Sequence, residues 1–138
     1  MGLMSFTDVS GFDALYGLEL IECGEELARG RVPVRDELKQ LGEVVHGGVF
    51  GALADALAVR GTAAGVASQG ELAIGLATHT TVLHPIAAGV MHATAMRRHR
   101  GRTTWVWEVE IADDAGLVCV VARVTVGVRN RPPRASGH

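Results

Sequence analysis

The sequence is poor in cysteine and in net charge: its 138 residues include two cysteines and carry a net charge of −2. Cys23 and Cys119 stand in segments patterned like strands, so they indicate small buried side chains in a reducing compartment and no disulfide framework. A nearly neutral chain has no broad positive field with which to hold nucleic acid or an anionic membrane. We therefore expect neither among its partners.

Signals for export, membrane insertion and metal binding are also missing. The first 20 residues contain three acids and no cationic segment before a long apolar run, which argues against a secretory signal. No uninterrupted apolar run reaches the roughly 18 residues that span a bilayer. The six histidines and two cysteines show no metal-ligand spacing. We expect a cytoplasmic protein that holds no metal ion.

What the sequence does contain is enough apolar material for one packed domain. Hydrophobic residues make up 48% of the chain, which is typical of a globular protein of one domain. No repeat or linker interrupts the middle of the chain. We predict a single domain over residues 11–128, a flexible start at residues 1–10, and a flexible, proline-interrupted tail at residues 129–138.

Apolar and polar residues alternate over most of this domain. Every even position from 118 to 128 is apolar, and residues 104–111 alternate in the opposite parity, with Trp105 and Trp107 on one side. This period of two predicts strands there and at residues 18–22, 27–34, 72–83 and 90–99. Residues 49–59 break the pattern, because they are rich in alanine and leucine and predict a mostly buried helix over roughly residues 47–64. The result is an α+β fold, β-β-α-β-β-β-β, with an antiparallel sheet around one long helix and a short helix near residues 12–16.

The predicted helix contains one acid in an apolar setting. Asp55 is the only charged residue between Gly47 and Val59. The alternative to a functional role is the solvated face of an amphipathic helix, but such a face would hold several polar residues and this one holds none. A desolvated carboxylate has a raised pKa unless it finds donors, and is a candidate nucleophile or general base.

The start of the same helix carries His46, Gly47 and Gly48. The first amides of a helix have no intrahelical partner and lie at the positive end of its dipole. Glycine there lets a substrate approach the backbone, so the segment suits the negative charge that develops on a carbonyl oxygen during acyl transfer. Two glycines before a helix are common, and His46 alone is more often a structural hydrogen-bonding residue than a base.

Spacing connects these two features to an assembly. Asp55 follows Gly47 by eight residues, which places them about 12 Å apart along one helix. A nucleophile and an oxyanion donor must both lie within about 3 Å of one carbonyl group. If both serve the same carbonyl, they come from different subunits. We therefore predict a homodimer with two sites at its interface, and expect such dimers to stack into a homotetramer.

The segment QLGEVVHGGVFGALAD, residues 40–55, resembles hotdog-fold thioesterases of the His-Gly-Gly type, a group that includes the 4-hydroxybenzoyl-CoA and phenylacetate-pathway thioesterases. The resemblance continues through LHPIAAG at residues 83–89 and RHRGR at residues 98–102, and covers roughly residues 15–128. It implies the hotdog fold and hydrolysis of an acyl-CoA thioester. CoA is then part of the substrate, and no separate cofactor is expected.

The resemblance also implies roles for individual residues. Asp55 matches the catalytic acid, which attacks the thioester or activates water, and Gly47 matches the oxyanion amide. Gln40 matches an Asn or Gln that helps to hold the thioester carbonyl or the water, and His46 matches a histidine that supports the loop.

The sequence departs from the family pattern at the group that positions water. One branch has a threonine four residues after the acid, where this chain has Val59. Another has a serine on the strand after the helix, where the nearest match is around Gly75. Thr78 and Thr80 are the remaining candidates. Many relatives also have an arginine before the proline, where His84 stands here, which puts an anion contact at this position in doubt.

The chain has one dense basic cluster, at residues 97–102. It is interpreted either as the solvated tip of a hairpin or as a site for the phosphates of CoA, which arginine binds in bidentate fashion. The resemblance favours Arg100, Arg102 and Thr103 for CoA.

Two other functions stay open from the sequence. A hotdog dehydratase acting on hydroxyacyl thioesters would use His46 and Asp55 together, although the two glycines after His46 favour the thioesterase. A non-catalytic acyl-CoA-binding module is the second alternative. The acyl group is not readable, but Phe50 and the Trp105 strand suggest an apolar or aromatic pocket, for an aromatic or medium-chain acyl group.

Overall fold

The computed structural model describes residues 7–132. Its helices and strands are α1 (Gly11–Leu15), β1 (Glu19–Cys23), β2 (Leu27–Pro33), α2 (Gly47–Val66), β3 (Glu71–Val82), β4 (Val90–Arg100), β5 (Thr104–Ala112) and β6 (Val118–Asn130). Short 3-10 turns occupy Asp36–Leu38 and Ala67–Gln69. The predicted order of one long helix among six strands, with a short helix before them, is confirmed.

The chain ends are only partly covered by this description. Residues 1–6 and 133–138, where most of the predicted flexible ends fall, lie outside the described residues. Within the described part, β6 continues to Asn130, two residues into the segment predicted to be a tail. The reason is that β6 pairs with β3 as far as Glu71↔Asn130.

The six strands form one antiparallel sheet in the order β1-β2-β4-β5-β6-β3. Strand β3 follows α2 in the chain but pairs with β6, so it forms one edge of the sheet and β1 forms the other. The sheet wraps around α2, as predicted for the hotdog fold. Edge strands present unpaired backbone groups, which a second sheet can satisfy.

The core lies between α2 and the concave face of the sheet. Alternation places the predicted residues inside: Trp105 and Trp107 of β5 are fully buried, as are Val120, Val124 and Val126 of β6. From α2, the fully buried large side chains are Phe50, Leu53 and Leu57.

Helix α2 and the turn after it, Gly47–Gln69, are long and apolar enough, by length and composition alone, to cross a membrane. Core helices of soluble proteins meet the same criterion. Here the sheet surrounds the helix, and 56% of its most apolar window is buried inside the fold.

Candidate active site

His46 caps the start of α2. Its ring Nδ1 accepts a hydrogen bond of 2.8 Å from the Gly48 amide. Because Nδ1 is the acceptor, the proton of the neutral ring is on Nε2. A Cβ at residue 48 would lie only 3.0 Å from Nδ1, so Gly48 makes room for this cap. His46 therefore supports the helix start, the role that its position in the motif implies.

The neighbouring amide of Gly47 is open. Gly47 is exposed, and a Cβ built on it would meet nothing within 4 Å. Among residues 7–132, nothing accepts a hydrogen bond from its N–H. An unpaired donor at the positive end of a helix is suited to bind an oxyanion or another negative oxygen.

The segment before the helix brings Gln40 back towards the Gly47 amide. A short antiparallel pairing joins Lys39 to Val45. On one side of that pair the His46 amide donates to Leu38 O at 2.8 Å, and on the other the Gln40 amide donates to Val44 O at 2.9 Å. Leu38 therefore lies opposite His46. Gln40 follows Leu38 by two residues, which is about 7 Å along the strand. Its side chain is exposed.

Asp55 lies two helical turns further along α2 and is half-buried. Burial raises the pKa of its carboxyl group above the ordinary value, and the negative charge of Asp13 raises it further. On the sheet side, Asp55 faces Gly75 of β3, where a Cβ would overlap Oδ1 of the carboxylate. The lack of a side chain at Gly75 therefore makes room for the acid.

The structure does not bring Asp55 and Gly47 together within one chain. Their separation of eight residues on one continuous helix corresponds to about 12 Å along the axis. Positions 47, 51 and 55 share one side of α2, because residues four apart on a helix are neighbours. Gly51, like Gly47, has nothing within 4 Å of the place where a Cβ would stand. This side of the helix therefore has room for a second chain.

The two threonines considered for positioning water lie on the helix-facing side of β3. Thr78 pairs with Val124 and Thr80 pairs with Ala122, and both partners are buried core residues. The threonines follow Gly75, the residue that faces Asp55, by three and five positions, which is roughly 10 and 17 Å along the strand. No hydrogen bond from either hydroxyl occurs within residues 7–132, so neither is assigned to a role.

The basic cluster separates into paired and unpaired arginines. Arg97 and Arg100 both lie over the Trp105 ring and form ion pairs with Glu25, and Arg98 is paired with Glu108 at 2.8 Å. Within the described chain, Arg102 has no carboxylate partner. It lines a cavity of about 630 Å³ together with Thr103 and other residues, Glu71, Val128, Arg129 and Asn130.

A second cavity, of about 610 Å³, opens beside the start of α2. Its walls combine the charged side chains of Arg35, Glu37 and Lys39 with a larger apolar part, formed by Phe12, Leu15, Tyr16, Leu38, Val49 and Ala52. His46 and Gly48 form its boundary with the helix start. Apolar walls with a few polar groups are typical of pockets for small organic ligands.

Sequence reasoning did not find two parts of this site. One is the contact between Gly75 and Asp55, which depends on the register of β3 against α2. The other is the pairing of Asp13 in α1 with Arg60 in α2, whose charged groups are 2.9 Å apart. No short motif indicates a contact between residues so far apart in the chain.

Comparison with known proteins shows that the chain is similar to acyl-CoA thioesterases. Residues 34–127 match the family described as Acyl-CoA thioesterase N-terminal domain. A Mycobacterium tuberculosis protein named "Putative esterase Rv1847" is 38% identical over 125 residues, covering 89% of this chain and 88% of its own. Its solved structure has a TM-score of 0.84 and 34% identity, covering 88% of this chain and 98% of that one.

Two further relatives carry more specific descriptions. The 1,4-dihydroxy-2-naphthoyl-CoA hydrolase of Listeria monocytogenes is 29% identical over 121 residues, covering 88% of this chain and 98% of its own. The thioesterase SAV0944 of Staphylococcus aureus has a TM-score of 0.80 and 27% identity, covering 84% of this chain and 96% of that one. SAV0944 was solved with a glutamine replaced by alanine, and separately with a glutamate replaced by alanine fifteen positions later.

Proposed function

This chain belongs to the hotdog-fold acyl-CoA thioesterase family and is a thioester hydrolase, and on that premise we propose that it hydrolyses an aromatic or medium-chain acyl-CoA. In this proposal Asp55 is the nucleophile or general base, and the Gly47 amide of a second subunit is the oxyanion donor. The observation that carries the proposal is the half-buried Asp55 carboxylate, on the same side of α2 as the unpaired Gly47 amide.

Asp55 is suited to this role by its surroundings. Burial and the charge of Asp13 raise its pKa, which makes the ionised carboxylate a stronger base and nucleophile than one in water. Gly75 leaves the space next to Oδ1 without a side chain. A carboxylate in this position attacks the thioester carbonyl, or removes a proton from the water that does so.

The Gly47 amide supplies the complementary charge. As the carbonyl carbon becomes tetrahedral, its oxygen acquires negative charge, and a donor that is already in place stabilises it without reorganisation. The His46 cap holds the first turn of α2 in the geometry that presents this amide. The Gln40 side chain extends from the adjacent loop and, in this proposal, orients the thioester carbonyl or the water.

A spacing found in SAV0944 supports the pairing of Gln40 with Asp55. The glutamine and the glutamate replaced in its solved variants are fifteen positions apart, and Gln40 and Asp55 have the same separation. We propose that the two pairs correspond, with aspartate here in the place of glutamate.

The proposed dimer forms along β3, the edge of the sheet that follows α2. Three large apolar side chains of this strand, Ile74, Leu76 and Val82, are each about half exposed in the single chain. Pairing of two β3 edges across a two-fold axis covers them and satisfies the unpaired backbone groups. A shared site requires in addition that this pairing bring the start of one α2 beside the middle of the other.

The substrate is divided between two cavities in this proposal. The acyl group occupies the apolar cavity beside His46 and Gly48, where the ring of Phe12 is 65% exposed and free to pack on it. The phosphates of CoA lie at the turn between β4 and β5, beyond the far end of α2. Arg102 and Thr103 are an available cation and an available hydroxyl there, next to Arg129, whereas Arg100 contributes only after loosening its ion pair with Glu25.

The test is hydrolysis of a panel of aromatic and medium-chain acyl-CoAs, followed by detection of the released thiol. We expect Asp55→Asn, which is nearly isosteric, to reduce kcat/KM by about 100- to 10,000-fold, the contribution of a general base. Gln40→Ala removes an orienting group only and is expected to cost about 10- to 100-fold.

The control is Glu22→Gln, the same loss of a carboxylate at an exposed ion pair on β1, which leaves activity unchanged. Circular dichroism checks that each variant is folded. Full activity in a folded Asp55→Asn protein would exclude Asp55 from the mechanism.

A further inference from the structure

A polar cluster from α1 lies over the middle of α2. The Asp13 carboxylate accepts a hydrogen bond of 2.9 Å from the Tyr16 hydroxyl on one oxygen, and of 2.9 Å from the Arg60 guanidinium on the other. The Arg60 and Asp13 side chains are only 13% and 24% exposed. Partial burial with both carboxylate oxygens bonded distinguishes this ion pair from the exposed pairs of the sheet, such as Arg31 with Glu19.

This cluster is adjacent to the proposed catalytic acid. The Tyr16 hydroxyl lies 3.4 Å from the carbonyl oxygen of Ala52, one helical turn before Asp55. Arg60 follows Asp55 by five residues on the same helix, a rise of about 7.5 Å. The cluster therefore spans the segment of α2 centred on Asp55.

Few other titratable groups face this segment. Strand β3 presents Gly75 to Asp55, and β1 contributes the Cys23 thiol, whose pKa is raised by burial and lowered by the nearby charge of Arg60. Burial, and then the charge of Asp13, raise the pKa of the Tyr16 phenol, so the phenol stays protonated and donates to Asp13. Asp13 and Arg60 are the charged groups that α1 and α2 place around Asp55.

We propose that Asp13 and Arg60 are a positioning pair that sets the charge state of Asp55 during thioester hydrolysis, an inference that rests on the proposed function of Asp55. Neither residue contacts the substrate in this proposal. Asp13 adds negative charge near Asp55, and Arg60 limits that charge by pairing with it.

Removing Asp13 and removing Arg60 are expected to change the pKa of Asp55 in opposite directions. The charge of Asp13 raises the pKa of Asp55, so Asp13→Asn removes this contribution and lowers the pKa of Asp55. Arg60→Gln leaves the Asp13 anion uncompensated and raises the pKa of Asp55. Asp55 acts as a base or nucleophile only when it is deprotonated, so a lower pKa keeps the enzyme active to lower pH.

The experiment is the pH dependence of kcat/KM for the full-length protein, on the best acyl-CoA found in the panel. We expect the acid limb of the profile to move to lower pH in Asp13→Asn and to higher pH in Arg60→Gln. The double variant Asp13→Asn/Arg60→Gln removes both charges and keeps hydrogen-bonding groups at both positions. Its acid limb is expected between those of the single variants.

Two controls distinguish a change in the pKa of Asp55 from structural damage. Glu19→Gln breaks the exposed pair with Arg31 and leaves the acid limb where it is in the unmodified protein. Carbon-13 NMR titration of the Asp55 carboxyl group measures the same displacement without catalysis, and it remains informative in a variant of low activity.

The outcomes distinguish this inference from the proposed function. If Asp55→Asn is inactive while the acid limb and the NMR titration of Asp55 are the same in both single variants, the positioning pair is wrong and the proposed function stands. If activity falls by the same factor at every pH and the melting temperature is lower, Asp13 and Arg60 have a structural role only. If Asp55→Asn is fully active, the proposed function fails, and this inference fails with it.

Discussion

The two halves of α2 are built from the same small residues but are used differently. In the first half, Gly47 and Gly51 have nothing within 4 Å of the place where a Cβ would stand. In the second half, a Cβ on Gly61 would overlap the Trp107 ring, and one on Gly65 would overlap the Trp105 ring. One side of the first half, at Gly47 and Gly51, is therefore open to a substrate or a second chain, whereas the corresponding glycines of the second half are closed off by the sheet.

The closed half shows how the sheet holds the helix. The rings of Trp105 and Trp107 are stacked with centroids 6.4 Å apart, and they fit against the helix because glycine leaves no side chain there. The Trp107 Nε1–H donates to the Thr62 hydroxyl at 2.9 Å, and that hydroxyl donates to Ala58 O at 2.8 Å. Thr62 is fully buried, and these two bonds satisfy its hydroxyl. Rigidity at this end supports precise placement of Asp55, at the boundary between the halves.

The strongest test of the open half is complementation between two inactive chains. One chain carries Asp55→Asn and the other carries Gly47→Pro, which removes the amide donor while keeping a residue that is favoured at the first position of a helix. Each is expected to lose activity by orders of magnitude alone. A mixed dimer has one intact site, so random exchange at equal amounts restores roughly one quarter of the unmodified activity if sites are shared across a two-fold axis.

Gly47→Ala is the matched control for that experiment. It keeps the amide donor and adds a methyl group on the side of α2 that the proposed site uses, so the variant is expected to retain more activity than Gly47→Pro, which has lost the donor. Subunit exchange that restores nothing, or an active monomer that persists on dilution, would contradict a shared site.

The closed half is tested by stability. Gly65→Ala places a Cβ against the buried Trp105 ring and close to Glu25, so the ring must move within a packed core. We expect the free energy of unfolding to fall by about 1–3 kcal/mol, the usual cost of overpacking, despite the better helix propensity of alanine. The measurement is urea denaturation at fixed protein concentration. An equal or higher stability would show that the tryptophans do not depend on the glycine.

Much of the fold follows from local pattern. Alternation defines β5 and β6, because one face of each strand must be buried, and the apolar segment after Gly48 defines α2. The helix start and Asp55 were also found, because a motif of adjacent residues carries them. The difference between the two halves of α2 was not predicted, because nothing in the sequence distinguishes Gly51 from Gly65. Only the register of β5 decides which of them meets a tryptophan, and contacts such as Asp13 with Arg60 likewise depend on the packing of distant elements.

The smallest effect, and the sharpest comparison between the halves, is expected from Gly51→Ala. The substitution matches Gly65→Ala chemically, but it adds its methyl group to open space. Alanine loses less backbone entropy on folding than glycine, so the free energy of unfolding is expected to rise by about 0.5–1 kcal/mol. The same methyl group stands between residues 47 and 55 on the side of α2 that the proposed site uses, so we expect slower hydrolysis in a protein that is at least as stable. Urea denaturation and the acyl-CoA assay on one preparation measure both quantities. Unchanged hydrolysis would mean that neither the substrate nor a second chain contacts this side of the helix. The proposed shared site would then not lie along residues 47–55.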